Sequence, residues 1–165
     1  MKIILLVVGK TTTSYLREGI EEYSTRVNRF MPFELRVLPD IKTSKKLTPA
    51  MQKEAEGMRI LEQIQTSDHL VLLDERGREY TSRQFAGFID KKVQTVAKNL
   101  VFVIGGPYGF SQAVYNRADA LLSLSKMTFP HELIRLFFVE QLYRGFFNHS
   151  QSPVSPRLNP RGRAS

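Results

Sequence analysis

A glycine-rich segment in the second half of the chain is the strongest candidate for a functional site in this sequence. Residues 105–110 read GGPYGF, directly after an apolar run and just before a helical pattern that begins near Gln112. Glycines let a backbone approach a ligand closely and expose its N–H groups. The spacing is not the G-x-G-x-x-G of dinucleotide-binding folds, so a pyrophosphate site is not predicted. A ligand-binding loop and an ordinary tight turn are both compatible with these residues.

A second candidate is the loop 122–131, which reads LSLSKMTFPH and leads into an apolar helical segment. If this loop binds a ligand, its backbone groups and Thr128 hold an adenosine-like molecule, and Pro130 fixes the start of the helix. A plain loop leading into a helix is the alternative. His131 could position a substrate, although a histidine near a helix start is more often a capping or packing residue.

The helix that follows carries two charges among its apolar residues. Glu140 and Arg144 are four residues apart, which is the spacing of a pair that stabilises a helix, and this structural role is the simpler interpretation. Most side chains between residues 133 and 147 are aliphatic or aromatic. We expect them to lie in the core or in an interface between subunits.

The composition excludes several kinds of site. The 165 residues include no cysteine and only three histidines, so we expect no disulfide, no thiolate nucleophile and no metal site. The apolar run 2–8 is too short to span a membrane. The formal net charge of +8 favours a polyanion such as nucleic acid as partner, although such a charge can also serve solubility alone.

The order of the predicted elements indicates an open α/β sheet with helices on both faces. Apolar runs that alternate with helical patterns predict strands over 2–8, 33–38, 69–74, 100–104 and near 122–125. The half-polar run 33–38 is expected nearer an edge. Ligands of such sheets bind beyond the carboxyl ends of the strands. Three strand ends therefore matter: Leu73-Asp74, Ile104-Gly105 and 122–125.

Local signals predict where the elements begin and end. Thr48 before Pro49 predicts a helix start, and Ser82 is expected to cap a later helix. The buried face of the first of these helices is expected to consist of Met51, Ala55, Met58, Leu61 and Ile64. Residues 76–78 predict a turn after the strand 69–74. The segment 148–165, rich in Ser, Pro and Arg, predicts a disordered tail, which leaves 1–147 as the domain.

Four segments together resemble one known family. The opening MKIILLVVGK and the runs IGGPYGF, SLSKMTFPH and RLFFVEQLYR resemble the large-subunit ribosomal RNA methyltransferase H family of the SPOUT class, over about residues 1–146. This resemblance implies an α/β domain with a C-terminal trefoil knot, and a pocket for S-adenosylmethionine. The residues that it places in that pocket are Leu73, Gly105, Leu124, Ser125, Lys126, Met127, Thr128 and Phe129.

The resemblance also implies partners and a reaction. Proteins of this class are homodimers in the cytoplasm, with an acceptor site formed across the interface. The implied reaction is methylation at N3 of a pseudouridine in 23S ribosomal RNA of the assembled ribosome. We expect Arg144 to steady the acceptor or a phosphate, and His131 to be a polar positioning group. Glu140 is a weaker catalytic candidate.

The C-terminus departs from the family pattern. Members normally continue past the Tyr-Arg of the last helix into a short tail that ends near Pro-Tyr-His and lies by the acceptor pocket. This chain instead continues as GFF and then the Ser/Pro/Arg segment, in which His149 could replace the missing histidine. The alternative function is therefore a catalytically impaired RNA- or ribosome-binding protein that retains the cofactor pocket. A third interpretation, an unrelated nucleotide-binding protein, is disfavoured by the non-Rossmann glycine loop.

Overall fold

Five parallel strands form one sheet in the computed structural model, which describes residues 1–41 and 47–151. The order across the sheet is β2-β1-β4-β3-β5. The strands are β1 (Lys2–Val8), β2 (Phe33–Leu38), β3 (His69–Glu79), β4 (Asn99–Ile104) and β5 (Ala120–Ser123). Because every pair is parallel, all the carboxyl ends meet at one edge. The predicted parallel sheet is confirmed, with β2 at its edge.

Helices cover both faces of this sheet, as predicted. They are α1 (Ser14–Asn28), α2 (Pro49–Glu62), α3 (Ser82–Thr95), α4 (Gln112–Arg117) and α5 (His131–Gln151). One core cluster joins side chains of α1, α3 and α5 to one face, through Val27, Phe85 and Phe138. The other joins α2 and α4 to the opposite face, through Ile60 and Val114. The central strands are thus buried on both sides, which explains their continuous apolar sequences.

The predicted buried face of α2 is only partly confirmed. Leu61 and Ile64 pack, partly buried, against the second core cluster. Met51 and Met58 are 52% and 65% exposed, whereas Glu56 and Gly57 face inward beside Ile60. A Cβ added at Gly57 would overlap the hydroxyl of Ser111, so the close approach of this helix to the loop before α4 requires glycine. Packing of α2 against that loop, rather than apolar periodicity, therefore sets its orientation.

Strand β3 is longer than predicted. It continues past Asp74 to Glu79, and both Leu73 and Arg78 align with Leu122 of β5. The residues between them form a bulge instead of the predicted turn. A Cβ on Gly77 would lie 2.6 Å from the Leu122 backbone nitrogen, which explains the glycine in this bulge.

The helix boundaries differ in smaller ways. Thr48 caps α2 as predicted, since its hydroxyl accepts a hydrogen bond from Met51 N at 3.1 Å. The cap of α3 is Thr81 and not Ser82, because Thr81 and Gln84 form a reciprocal capping box. Helix α5 extends to Gln151, past the predicted domain end at 147. The rest of the predicted tail, 152–165, lies outside the described residues.

Candidate active site

The three predicted strand ends converge on one cleft of about 770 Å³. Leu73 of β3, Gly105 after β4 and the segment 122–125 of β5 and its loop all line it. This volume lies in the range of sites that enclose a small molecule or cofactor. The strand-end rule therefore identifies the main cleft of the described structure.

The loop after β5 forms one wall of the cleft. Leu124, Ser125, Met127, Thr128 and Phe129 all line it. The loop is held by its own hydroxyl groups, because Ser123 Oγ donates to Ser125 O at 3.0 Å and Met127 N donates to Ser125 Oγ at 3.0 Å. The ring of Phe129 packs edge-on against Phe137 of α5, with centroids 5.2 Å apart. These contacts give the wall a defined shape.

Lys126 is the exception in that loop. Its side chain is 86% exposed, and its ammonium lies 3.6 Å from Glu79 Oε1. It does not line the cleft in which its neighbours meet. Any contact of this residue with a ligand in the cleft would have to come from its backbone.

The glycine loop forms the opposite wall. A Cβ on Gly105 would lie 2.9 Å from the ring of Phe110, so the loop folds tightly over this ring. Gly109, with φ +79°, completes a turn in which its N–H donates to Gly106 O at 3.2 Å. Gly106 N donates to Glu56 Oε1 of α2 at 2.9 Å. Burial raises the pKa of Glu56, and the Gly106 hydrogen bond opposes that shift.

The bulge of β3 contributes a polar cluster to the cleft. The hydroxyl of Tyr115 donates to Asp74, and Arg76 N donates to Asp74 Oδ1 at 2.8 Å. The guanidinium of Arg76 lies over the Tyr115 ring, 4.5 Å from its centroid. Burial alone would raise the pKa of Asp74, but the hydrogen bonds from Tyr115 and Arg76 outweigh it and lower that pKa. Asp74 is therefore a largely buried anion in the lining of the cleft.

The start of α5 is fastened to the end of β1. Glu132 accepts hydrogen bonds from Thr12 N at 2.7 Å and Thr13 N at 3.2 Å, and these bonds lower the pKa of Glu132, with Thr13 the larger cause. Arg135, only 1% exposed, donates to Val8 O at 2.7 Å. His131, in the first turn of the same helix, lines the cleft. The network thus fixes the helix turn that carries His131.

Glu140 and Arg144 lie away from the cleft. Arg144 Nη2 is 2.5 Å from Glu140 Oε1, which is the predicted i,i+4 pair, and the Arg144 side chain is about half exposed. Glu140 lines a separate cavity of about 320 Å³ between α3, α5 and the loop 122–125. His149 Nε2 lies 3.4 Å from Asp90 Oδ1 of α3. The single chain therefore brings His131 into the cleft of the predicted cofactor residues. Glu140 meets the loop 122–125 only from the smaller cavity, and Arg144 and His149 line neither cavity.

Several residues of the site were missing from the sequence prediction. Glu56 and Tyr115 carried no signal, because neither follows a strand and both lie within predicted helices. Asp74 was named as part of a predicted strand end, Leu73-Asp74, but was given no role in the site. Among the described residues, no group of acidic and histidine side chains could hold a metal ion. In that same part of the chain, no helix is both long and apolar enough to cross a membrane.

Comparison with known proteins places this geometry in a family. Residues 1–153 match the family described as "Predicted SPOUT methyltransferase". The chain is 57% identical over 144 residues to a Ribosomal RNA large subunit methyltransferase H of Parabacteroides distasonis, covering 87% of this chain and 92% of the relative. A protein of the same name from Christiangramia forsetii is 50% identical over 157 residues, covering 95% of this chain and all of the relative. The chain therefore belongs to the SPOUT methyltransferase family and, within it, to the large-subunit methyltransferase H family, which confirms the resemblance.

Proposed function

We propose that this chain transfers the methyl group of S-adenosylmethionine to N3 of a pseudouridine in 23S ribosomal RNA of the assembled ribosome. One observation carries the proposal: in a member of this family, all the predicted cofactor residues except Lys126 line a single cleft. The relatives named above are methyltransferases of large-subunit ribosomal RNA, and they are about half identical to this chain. Family membership therefore favours the enzyme over the binding-only alternative.

The cleft has features that suit the cofactor. Its volume of about 770 Å³ accommodates a nucleoside with an amino-acid arm. A Cβ on Gly105 would meet the Phe110 ring and one on Gly106 would meet the Glu56 carboxylate, so glycine at both positions lets the loop pack closely against these side chains. The exposed guanidinium of Arg76 lines the cleft and can pair with the carboxylate of the amino-acid arm, while Asp74 holds Arg76 in place. The cofactor supplies an activated methyl on a sulfonium, and the protein chiefly has to position it.

His131 is the best placed of the proposed catalytic residues. It lines the cleft on the first turn of α5, between the loop 122–129 and the glycine loop. From there its imidazole can orient the acceptor base, whose N3–H releases its proton to solvent as the new N–C bond forms and the C–S bond breaks. We assign His131 the role of a polar positioning group.

Arg144 and Glu140 require a second subunit for their proposed roles. Both lie outside the cleft of the single chain, on the part of α5 that also carries exposed Phe137 and Phe147. With the aromatic cluster of Tyr143 and Phe30 beside them, these residues offer an apolar surface to a second copy. We propose a homodimer in which Arg144 contributes to the acceptor site formed across the interface.

The remaining expectations concern topology and location. The net charge of +8 suits an RNA partner, in which Lys and Arg contact phosphates while the acceptor base is presented from a loop. We propose the trefoil knot of the SPOUT class for the C-terminal part of the domain, and a cytoplasmic location, where ribosomes are assembled and modified.

Transfer of labelled methyl from S-adenosylmethionine to ribosomes that lack this modification tests the proposal. The chain as written is compared with a version that ends in the usual tail of the family. Label on pseudouridine from the chain as written supports the enzyme. If only the tail-repaired version transfers methyl while both bind the cofactor, this chain is the binding-only alternative. If neither version binds the cofactor, the proposed function is wrong.

A further inference from the structure

A buried carboxylate lies directly behind the glycine loop. Glu56 is 5% exposed, and its Oε1 accepts the hydrogen bond from Gly106 N at 2.9 Å. No ion pair within the described residues 1–41 and 47–150 includes Glu56. Burying a carboxylate without an ion-pair partner costs free energy, so its presence at this position suggests a function.

Helix α2 holds the glycine loop at two points. A Cβ on Gly106 would lie 2.7 Å from Glu56 Oε2, so the carboxylate occupies the space beside this glycine. The next residue of the helix, Gly57, packs against Ser111, the buried residue that caps α4. The start and the end of the loop are therefore fixed by consecutive residues of one helix.

The bond to Glu56 sets the direction of the neighbouring carbonyl. The described chain contains no cis peptide bond, so the N–H of Gly106 and the C=O of Gly105 point to opposite sides of one planar peptide. With the N–H directed at α2, the carbonyl is directed away from it. Gly105 lines the cleft, and no described backbone N–H outside the helices and strands donates to its oxygen. That oxygen is a free acceptor for a ligand donor.

We propose that Glu56 is a positioning residue for the cofactor, which holds the Gly105 carbonyl toward the cleft so that it accepts a hydrogen bond from an N–H or O–H of S-adenosylmethionine. This inference rests on the proposed function. Ionised Glu56 is the stronger acceptor for Gly106 N–H, because charge-assisted hydrogen bonds are about twice as strong as neutral ones. Cofactor affinity should therefore depend on the ionisation of Glu56.

Titration calorimetry with S-adenosylmethionine, from pH 8 to pH 5, tests this role in four proteins. They are the wild type, Glu56→Gln, Glu56→Ala and the control Glu62→Gln, which changes an exposed carboxylate on the same helix. At pH 8 we expect Glu56→Ala to bind about tenfold or more weakly and Glu56→Gln about threefold more weakly, with the control unchanged. The wild type should lose affinity toward pH 5, whereas Glu56→Gln should not.

Two further charged groups act on Glu56, and the one that could add its own pH dependence through a positive charge, His131, is controlled for. A positive charge on His131 lowers the pKa of Glu56, and Asp40 raises it. The titration is therefore repeated in a His131→Asn background, in which the difference between wild-type Glu56 and Glu56→Gln should persist.

Stability separates positioning from a general structural effect. Since burial raises the pKa of Glu56, its ionised form costs stability, and Glu56→Gln should melt no lower than the wild type at pH 8. Weaker cofactor binding at unchanged melting temperature supports the proposal. Equal affinity of the wild type and both Glu56 variants at pH 8, or the same pH dependence with and without the carboxylate, overturns it. A wild type that fails to bind the cofactor refutes the proposed function instead.

Discussion

Replacing Arg135 by methionine should destabilise the protein more than removing any surface charge. The guanidinium donates hydrogen bonds to Val8 O at 2.7 Å, Gly9 O at 2.8 Å and Thr11 Oγ1 at 3.0 Å. Methionine keeps the unbranched stem but leaves these acceptors without their donors. Each hydrogen bond to a charged group contributes about 1.5–3 kcal/mol.

The net loss is smaller than the sum of these bonds. Burial lowers the pKa of Arg135, which shows that its charge is costly inside the protein, and its Nε is buried without a partner in the described structure. Removing the charge recovers that cost. We therefore expect a loss of about 2–4 kcal/mol in the free energy of unfolding, and a melting temperature lower by about 5–15 °C.

Urea denaturation followed by circular dichroism measures this loss. Arg144→Met is the matched control on the same helix, because its half-exposed ion pair with Glu140 should contribute no more than about 1 kcal/mol. The free energy of unfolding of Arg135→Lys should lie between those of the wild type and Arg135→Met, since one ammonium cannot reach all three acceptors. A loss below about 1 kcal/mol in Arg135→Met would show that these hydrogen bonds do not hold α5 to the end of β1.

Three further predictions concern the sheet and its helices. Gly77→Ala should lower the free energy of unfolding by about 1–3 kcal/mol and weaken cofactor binding, because the new Cβ meets the Leu122 backbone under the bulge that carries Asp74. Thermal melting measures the stability and titration calorimetry the binding, and unchanged values of both contradict the prediction. In urea denaturation, Thr81→Ala should lower the free energy of unfolding by about 1 kcal/mol, because it removes the α3 capping box, whereas Ser82→Ala should leave it unchanged. Hydrogen bonds from Arg36 and then Lys2 lower the pKa of Glu34 to about 2. A depressed carboxyl pKa stabilises the fold above the normal pKa of 4.5, and this stability is lost as the pH falls toward 2. Glu34→Gln should therefore be less stable than the wild type at pH 7, and this difference should shrink as the pH falls from 4.5 toward 2.

The sheet could be predicted because its strands are buried on both faces. Such strands have continuous apolar sequences, and the runs 2–8 and 100–104 show that pattern without ambiguity. The rule that ligands bind beyond the carboxyl ends then led from three strand ends to one cleft. The expectations of a knot and of the cofactor came from the resemblance alone, since neither periodicity nor spacing indicates them.

The prediction of the buried face of α2 failed in part, because a polar side chain faces inward to contact a residue that is distant in sequence. Apolar periodicity assigned Met51 and Met58 to the core, but Glu56 and Gly57 occupy the inward face of α2. A carboxylate there satisfies a backbone N–H that lies 50 residues away in sequence. No local pattern contains that contact, so hydropathy could not orient the helix.

The buried side chains of Arg135 and Glu56 both form hydrogen bonds with backbone groups at the ends of strands. Where parallel strands stop, their last backbone groups lose ladder partners and must bond elsewhere. Arg135 supplies donors to the carbonyls at the end of β1, and Glu56 supplies an acceptor to the N–H just past the end of β4. Each makes charge-assisted hydrogen bonds to neutral backbone, which are stronger than those of a neutral side chain and hold the chain at one position. Because β1 and β4 are adjacent in the sheet, the two side chains together fix neighbouring strand ends beside the cleft. A cofactor site built from backbone groups needs such rigidity, since a loop that moves cannot keep its carbonyls and N–H groups aimed at a ligand.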